Sequence, residues 1–301
     1  MDDDREETDR STRAEGWGGA PSRREGAPPR IGGIALSNGL VVVSEKHWAA
    51  AIREPDGHIN VASGKKVPLA ALAVCSRVPG ARGLLRFAET LMVLGLVKVK
   101  LPRAELPLEG NRVAAALAAS LVASGLVRLT ARRSALAAEV GTALAAVVPA
   151  IWAVRGSSVS AYHGAEHKVI GAWEAAWRAG LRGPEALRRG VAEEATKEHE
   201  RCGSNIVGPY LVAAVAANLL ARAGLGGRSR WASAVASTAS LGLALEALRW
   251  ANEHADSMLA RLLLAPGQLI QKRFTTSEPT PEQLEVGRRA LEELLRLERL
   301  I

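Results

Sequence analysis

Four runs built almost entirely from Ala, Leu and Val constrain this chain most: residues 113–127 (VAAALAASLVASGLV), 134–154 (SALAAEVGTALAAVVPAIWAV), 206–221 (IVGPYLVAAVAANLLA) and 231–248 (WASAVASTASLGLALEAL). A helix crosses the hydrocarbon of a bilayer with about 17 to 25 mostly apolar residues. Each run is bounded by arginine or polar sequence, as at Arg112, Arg128, Arg133, Arg155 and Arg222, which is where spans meet lipid headgroups. A soluble bundle of Ala-rich buried helices is the alternative, and it gives no reason for that bracketing. The chain has two Phe and two Tyr beside seven Trp, so its core is made mainly from small and aliphatic side chains, which suit close helix packing in lipid. The expectation is a mainly α, multi-pass membrane protein of about four spans.

Other segments divide around these runs. Residues 1–30 are charged, rich in Gly and Pro and almost without aliphatics, which predicts a disordered tail. No basic stretch followed by an apolar run opens the sequence, so it predicts no cleavable signal peptide and a cytoplasmic N-terminus. Residues 31–80 form a small β-containing unit, with antiparallel strands expected at Leu40–Ser44, His47–Arg53 and His58–Ala62 and a turn at Glu54-Pro55-Asp56-Gly57. Residues 81–97 read as an apolar helix interrupted by Arg86 and Glu89, an interfacial element rather than a span.

The helical membrane domain is expected over 81–265 and contains a polar segment at 155–205. Residues 266–301 form a C-terminal tail whose helix carries Leu284, Leu291, Leu294 and Leu295 as an apolar stripe. Glu246, inside the last run, is expected to pair with Arg249 at i+3; the alternative is an outer carboxylate of a metal site, since intramembrane charge is costly and usually has a use. Basic residues flank the runs at both ends, so the charge rule alone does not orient them. An even number of spans puts the β unit, the polar segment and the tail on one side, which we take as the cytoplasmic face of the cell membrane.

A formal net charge of +8 fits attraction to the anionic headgroups of the lipid bilayer, and no nucleic-acid-binding motif accompanies it. Two cysteines, Cys75 and Cys202, are too few for a disulfide framework in 301 residues,. A reducing compartment leaves Cys202 available as a thiolate ligand.

The chemistry is concentrated in Tyr162-His163-Gly164-Ala165-Glu166-His167-Lys168 and in His199-Glu200-Arg201-Cys202-Gly203, which hold three of the six histidines. On a helix, His163 and His167 are one turn apart on one face and can converge on one ion. Their pattern, HxxEH, is the inverted form of the zincin motif, in which two imidazoles bind a metal and the Glu acts as general base. His199 and Cys202 supply further ligands of the right type. Three readings follow: a catalytic site with an open position and Glu166 as base; a structural site closed by His163, His167, His199 and Cys202; or hydrogen-bonded helix histidines without a metal. His47, His58 and His254 lie apart from these blocks.

These residues resemble the YqhQ family, bacterial multi-pass membrane proteins described as predicted metal-dependent enzymes. The likeness runs from about residue 31 to the end. It rests on Tyr162–Lys168, on His199–Asn205 (HERCGSN, with Glu200 where the family has Pro), on Pro79–Gly83, on Glu246 with Arg249, and on Gln271–Val286 (QKRFTTSEPTPEQLEV). The front departs from the family, since Asn38 stands where an acidic residue is expected. The resemblance implies a metal-dependent enzyme and brings no known substrate; the ligand types point to a divalent metal, zinc, and the spans to a membrane-associated substrate. The expected activity is metal-dependent hydrolysis with Glu166 as base, and the alternative is a metal-stabilised membrane scaffold, carrier or regulator.

Overall fold

A computed structural model describes residues 28–69, 77–107, 109–131, 134–189, 191–199, 202–224 and 230–301. Residues 1–27 of the expected tail, Cys75, Arg133, Glu200, Arg201 and residues 225–229 lie outside the described residues. The chain is mainly helical with a four-stranded antiparallel sheet at its front. The strands are β1 (Gly32–Ala35), β2 (Gly39–Val43), β3 (His47–Arg53) and β4 (Ile59–Lys65), paired in sequence order. Among the helices are α1 (Ala81–Lys100), α2 (Asn111–Thr130), α3 (Ala135–Val154), α4 (Ser158–Arg178), α5 (Gly183–Arg189), α6 (Val207–Gly224), α7 (Arg230–Glu253), α8 (Met258–Ile270) and α9 (Pro281–Leu297). A 3₁₀ turn, Gly203–Ile206, leads into α6, and a π-helical turn, Gln271–Thr275, follows α8.

The sheet is covered on both faces. Leu40 and Val42 of β2 and Ala49 and Ala51 of β3 face α4 and α9, meeting Ala165, Val169, Trp173 and Leu291. Val41, Trp48, Ala50 and Ile52 point the other way, onto Val93 and Val97 of α1. Side chains alternate along a strand, so a sheet buried on both sides needs apolar residues in succession, and LVVV and AAAI supply them. The turn expected at Glu54–Gly57 is present: Gly57 has φ 89°, and its N–H donates to Glu54 O at 2.9 Å. β1 extends the sheet beyond the three expected strands.

All four apolar runs are helical. Among the described residues, three helical stretches, Asn111–Thr130, Ala135–Val154 and Gly203–Leu220, are long and apolar enough to cross a membrane. α2 and α3 form an antiparallel hairpin; only Ala116 is buried in α2, while Leu117, Leu121, Val122 and Leu126 point outward. On the hairpin's other helix Leu136, Leu144, Val148 and Trp152 do the same. The fourth run lies within the 24-residue α7.

One expected pair is corrected. Arg249 bonds Glu253 at 3.0 Å, one turn on, and Glu246 instead takes the guanidinium of Arg82 across both carboxylate oxygens and the Gly80 N–H at 3.1 Å. The first N–H groups of a helix lack intrahelical acceptors and attract negative charge. Glu246 therefore fastens the start of α1 to α7.

Candidate metal centre

Among the described residues, the motif helix α4 is the most enclosed, with thirteen buried residues including Glu166, His167 and Lys168. It begins at Ser157, whose hydroxyl accepts the Ser160 N–H at 3.3 Å, and the helix fixes His163, Glu166 and His167 on adjoining faces. Segment 271–281 lies along it. Ser277 N–H donates to Ser160 O at 2.9 Å, and Lys168 donates to Glu278. Gly164 permits this approach: a Cβ there would stand 2.1 Å from Ser277 O.

His163, His167 and Cys202 come together, with one ligand atom from each lying within 4.8 Å of the others. Both rings are oriented by backbone carbonyls. His163 Nδ1–H donates to Thr275 O at 2.9 Å and His167 Nδ1–H to Lys197 O at 2.6 Å, which leaves each Nε2 as the lone-pair nitrogen. Orientation of a ligating ring through its other nitrogen is the usual support of a metal-binding histidine. His163 Nε2 lies 3.1 Å from Cys202 Sγ.

The Nε2 of His167 is buried and has no hydrogen-bond partner among the described residues. A buried polar atom without a partner costs about 1 to 3 kcal/mol, so this nitrogen calls for a ligand. Burial first, then His163, pushes the His167 pKa down to about 2, which keeps the ring neutral and able to donate its lone pair. Burial raises the Cys202 thiol, against hydrogen bonds from Ser204. Two imidazoles and one sulfur are a donor set suited to zinc, and the residues present fit such an ion.

Glu166 is 6% exposed. Burial pushes its carboxyl up to about 8, with His163 opposing the rise and Cys202 adding to it. Its side chain lies against β1, where a Cβ on Gly33 would stand 2.5 Å from the Glu166 carboxyl carbon. The fourth expected ligand is differently engaged: His199 Nε2 is 3.6 Å from Glu174 Oε2, although its ring lies 5.6 Å from that of His167. His47, at the start of β3, bonds Glu298 at 2.7 Å, and His254 stacks on Trp250.

Sequence reasoning missed the groups that hold the cluster. Gln271, fully buried, accepts the His199 N–H at 3.0 Å and donates to Asn205 at 2.8 Å, joining the second motif block to the end of α8. Thr275 and Lys197 act through backbone carbonyls, which every residue type carries; Gln271 lies in the C-terminal signature that carried part of the resemblance. Asn38 donates to Arg103 O at 3.0 Å and accepts from Glu105 N–H at 2.9 Å. Its amide thus binds the segment after α1 rather than the histidine cluster.

Fold and site together define a mainly helical protein with a small sheet that helps enclose a His/His/Cys cluster. The family described as "Protein of unknown function (DUF1385)" matches residues 136–297, more than half of the chain, and the chain belongs to it, as the YqhQ-like motifs lead one to expect. It is 33% identical over 149 residues to the "Uncharacterized protein YqhQ" of Bacillus subtilis strain 168, a match covering 46% of this chain and 41% of that protein. The chain thus spans well under half the length of that relative. No solved structure matches it.

Proposed function

We propose that this chain is a multi-pass protein of the cell membrane that hydrolyses a membrane-associated substrate at a zinc centre on the cytoplasmic side. We take four spans, α2, α3, α6 and α7: the outward apolar faces of α2 and α3 support the first two, since patches of that extent are rare on soluble proteins, length and hydropathy support the stretch through α6, and α7 is included for its apolar run. In this reading His163, His167 and Cys202 hold the ion and Glu166 is the general base. When bound, the ion supplies Lewis acidity toward water and toward a substrate oxygen. The residues do the rest: Thr275 and Lys197 fix the imidazoles, and Glu166 takes the proton of the attacking water and passes it to the leaving group.

The observation that carries this reading is that three ligand atoms converge while His199 faces Glu174. Three protein ligands leave a fourth position for water, as catalytic zinc sites do, whereas structural sites close with four. The proximity of the His199 ring favours one competing reading, a closed shell in a non-enzymatic scaffold, carrier or regulator. Metal analysis of the purified full chain separates them. About one zinc per chain is expected in wild type and His199→Ala, with loss in His163→Ala and Cys202→Ser. Loss in His199→Ala as well supports the closed shell, and retention in His163→Ala and Cys202→Ser removes the site.

A further inference from the structure

The corner beside the cluster carries positive charge that the proposed chemistry does not use. Arg155 caps the C-terminus of α3 and lies over the Phe274 ring at 5.4 Å. Arg112, in the first turn of α2, reaches Arg155 O at 3.5 Å. Lys272 and Arg273 are exposed on the turn that ends in Thr275, whose carbonyl orients His163. No carboxylate pairs with any of these four among the described residues. Other described arginines, such as Arg86, Arg128 and Arg261, also lack an acidic partner among the described residues; what sets this corner apart is that four such cations gather beside the Thr275 carbonyl and the His163 ring it orients.

The depth of this corner is set by the hairpin. α2 and α3 have twenty residues each, or roughly 30 Å of helix at 1.5 Å per residue, which matches the hydrocarbon thickness. Arg112 and Arg155 stand at the same end of that hairpin, which the membrane reading above puts at headgroup level. Trp152, 67% exposed one turn before Arg155, is placed as aromatic side chains are at the membrane interface. Unpaired guanidinium groups at this depth match one chemistry above others, the phosphate of a lipid headgroup, because their planar donors bind phosphate oxygens in pairs.

We infer that Arg112, Arg155, Lys272 and Arg273 form a docking collar for the phosphate of an anionic phospholipid and present its headgroup to the His163/His167/Cys202 centre. This rests on the metal-site reading above and names its substrate class. Arg155 and Phe274 hold the collar's geometry, and Thr275 connects it to the ligand shell. The collar thereby selects headgroup charge, and the cluster next to it acts on what is held.

The test uses zinc-loaded full-length protein in neutral detergent, titrated calorimetrically with dihexanoyl-phosphatidylglycerol, dihexanoyl-phosphatidylcholine and inorganic phosphate. Tighter binding of the glycerol lipid than of either other probe is expected. Arg112→Gln with Arg155→Gln should weaken it roughly ten- to thirty-fold, the loss for two cations at a membrane surface, while zinc content stays at the wild-type value. If that pair fails to fold, Lys272→Gln with Arg273→Gln carries the same expectation. Equal affinity for the choline lipid, unchanged affinity in a folded pair, or phosphate binding as tightly as the lipid overturns the collar. Zinc content separates this from the metal reading, since a wild-type chain without zinc that still selects the glycerol lipid removes the hydrolase and leaves the collar standing.

Discussion

Glu166 and Gly33 show how narrowly the cluster is built. The carboxylate belongs to α4 and the glycine to β1, and the two occupy the same space to within one methyl group. Glu166→Gln keeps shape and burial while removing the base, so zinc content should stay unchanged and any hydrolysis should fall by about 10²- to 10⁴-fold, measured on phospholipid substrates. In Gly33→Ala the new Cβ would stand 2.5 Å from the Glu166 carboxyl carbon and 2.7 Å from Val41 O, so it is expected to push Glu166 out of place and strain the β1–β2 pairing, lowering turnover in the same direction with the zinc retained. Zinc loss in Glu166→Gln would make Glu166 a ligand rather than a base. At this scale the residue types and the four-residue spacing were legible, because a helix converts spacing into a shared face. The carbonyls of Thr275 and Lys197 were not, since only the path of the chain brings them to the rings.

Two segments packed against α4 and the sheet hold these residues in place. Segment 271–281 crosses α4 at Gly164, where Ser277 O leaves no room for a side chain. Gly164→Ala should lift that segment, release Thr275 from His163, lower the melting temperature and reduce zinc content while far-ultraviolet circular dichroism stays helical. Helix α9 is tied to the sheet by Ser44 and His47, which both donate to Glu298. Burial alone would raise the Glu298 pKa, but these hydrogen bonds, with the charges of His47 and Lys46, outweigh it and hold the carboxyl below the usual carboxylate range. A depressed carboxyl stabilises the fold above its unfolded pKa, about 4.3, and that contribution is lost as pH falls through the lower folded value. Denaturation at about pH 6 and about pH 3 should show on the order of 1 kcal/mol lost from this pairing, and Glu298→Gln should lack that component.

Helices with strong apolar runs were legible at this scale, as were β2 and β3. β1 was not, because Gly32-Gly33-Ile34-Ala35 has little β-former content and is recruited by pairing with β2. Pro266-Gly267 suggested a boundary, yet α8 continues through both to Ile270. Burial of Leu264 and Gly267 there favours the helix more than one missing N–H opposes it.

Across the whole molecule, packing limits the topology that charge left open. Arginines flank both ends of the apolar runs, so counting them gave no orientation; the sheet, α4 and α9 share one core and must lie on one side of any bilayer. Reporter fusions at the N-terminus and after Ile301 should therefore give the same orientation, and opposite orientations would rule out the even span number.

Zinc K-edge X-ray absorption of the purified full chain tests whether His163, His167 and Cys202 bind one ion with a position left open. One sulfur neighbour at about 2.3 Å and nitrogen or oxygen neighbours at ~2.0 to 2.1 Å are expected, with the spectrum unchanged in His199→Ala and the sulfur shell lost in Cys202→Ser. A spectrum without sulfur, or one that loses a nitrogen shell in His199→Ala, would contradict that arrangement.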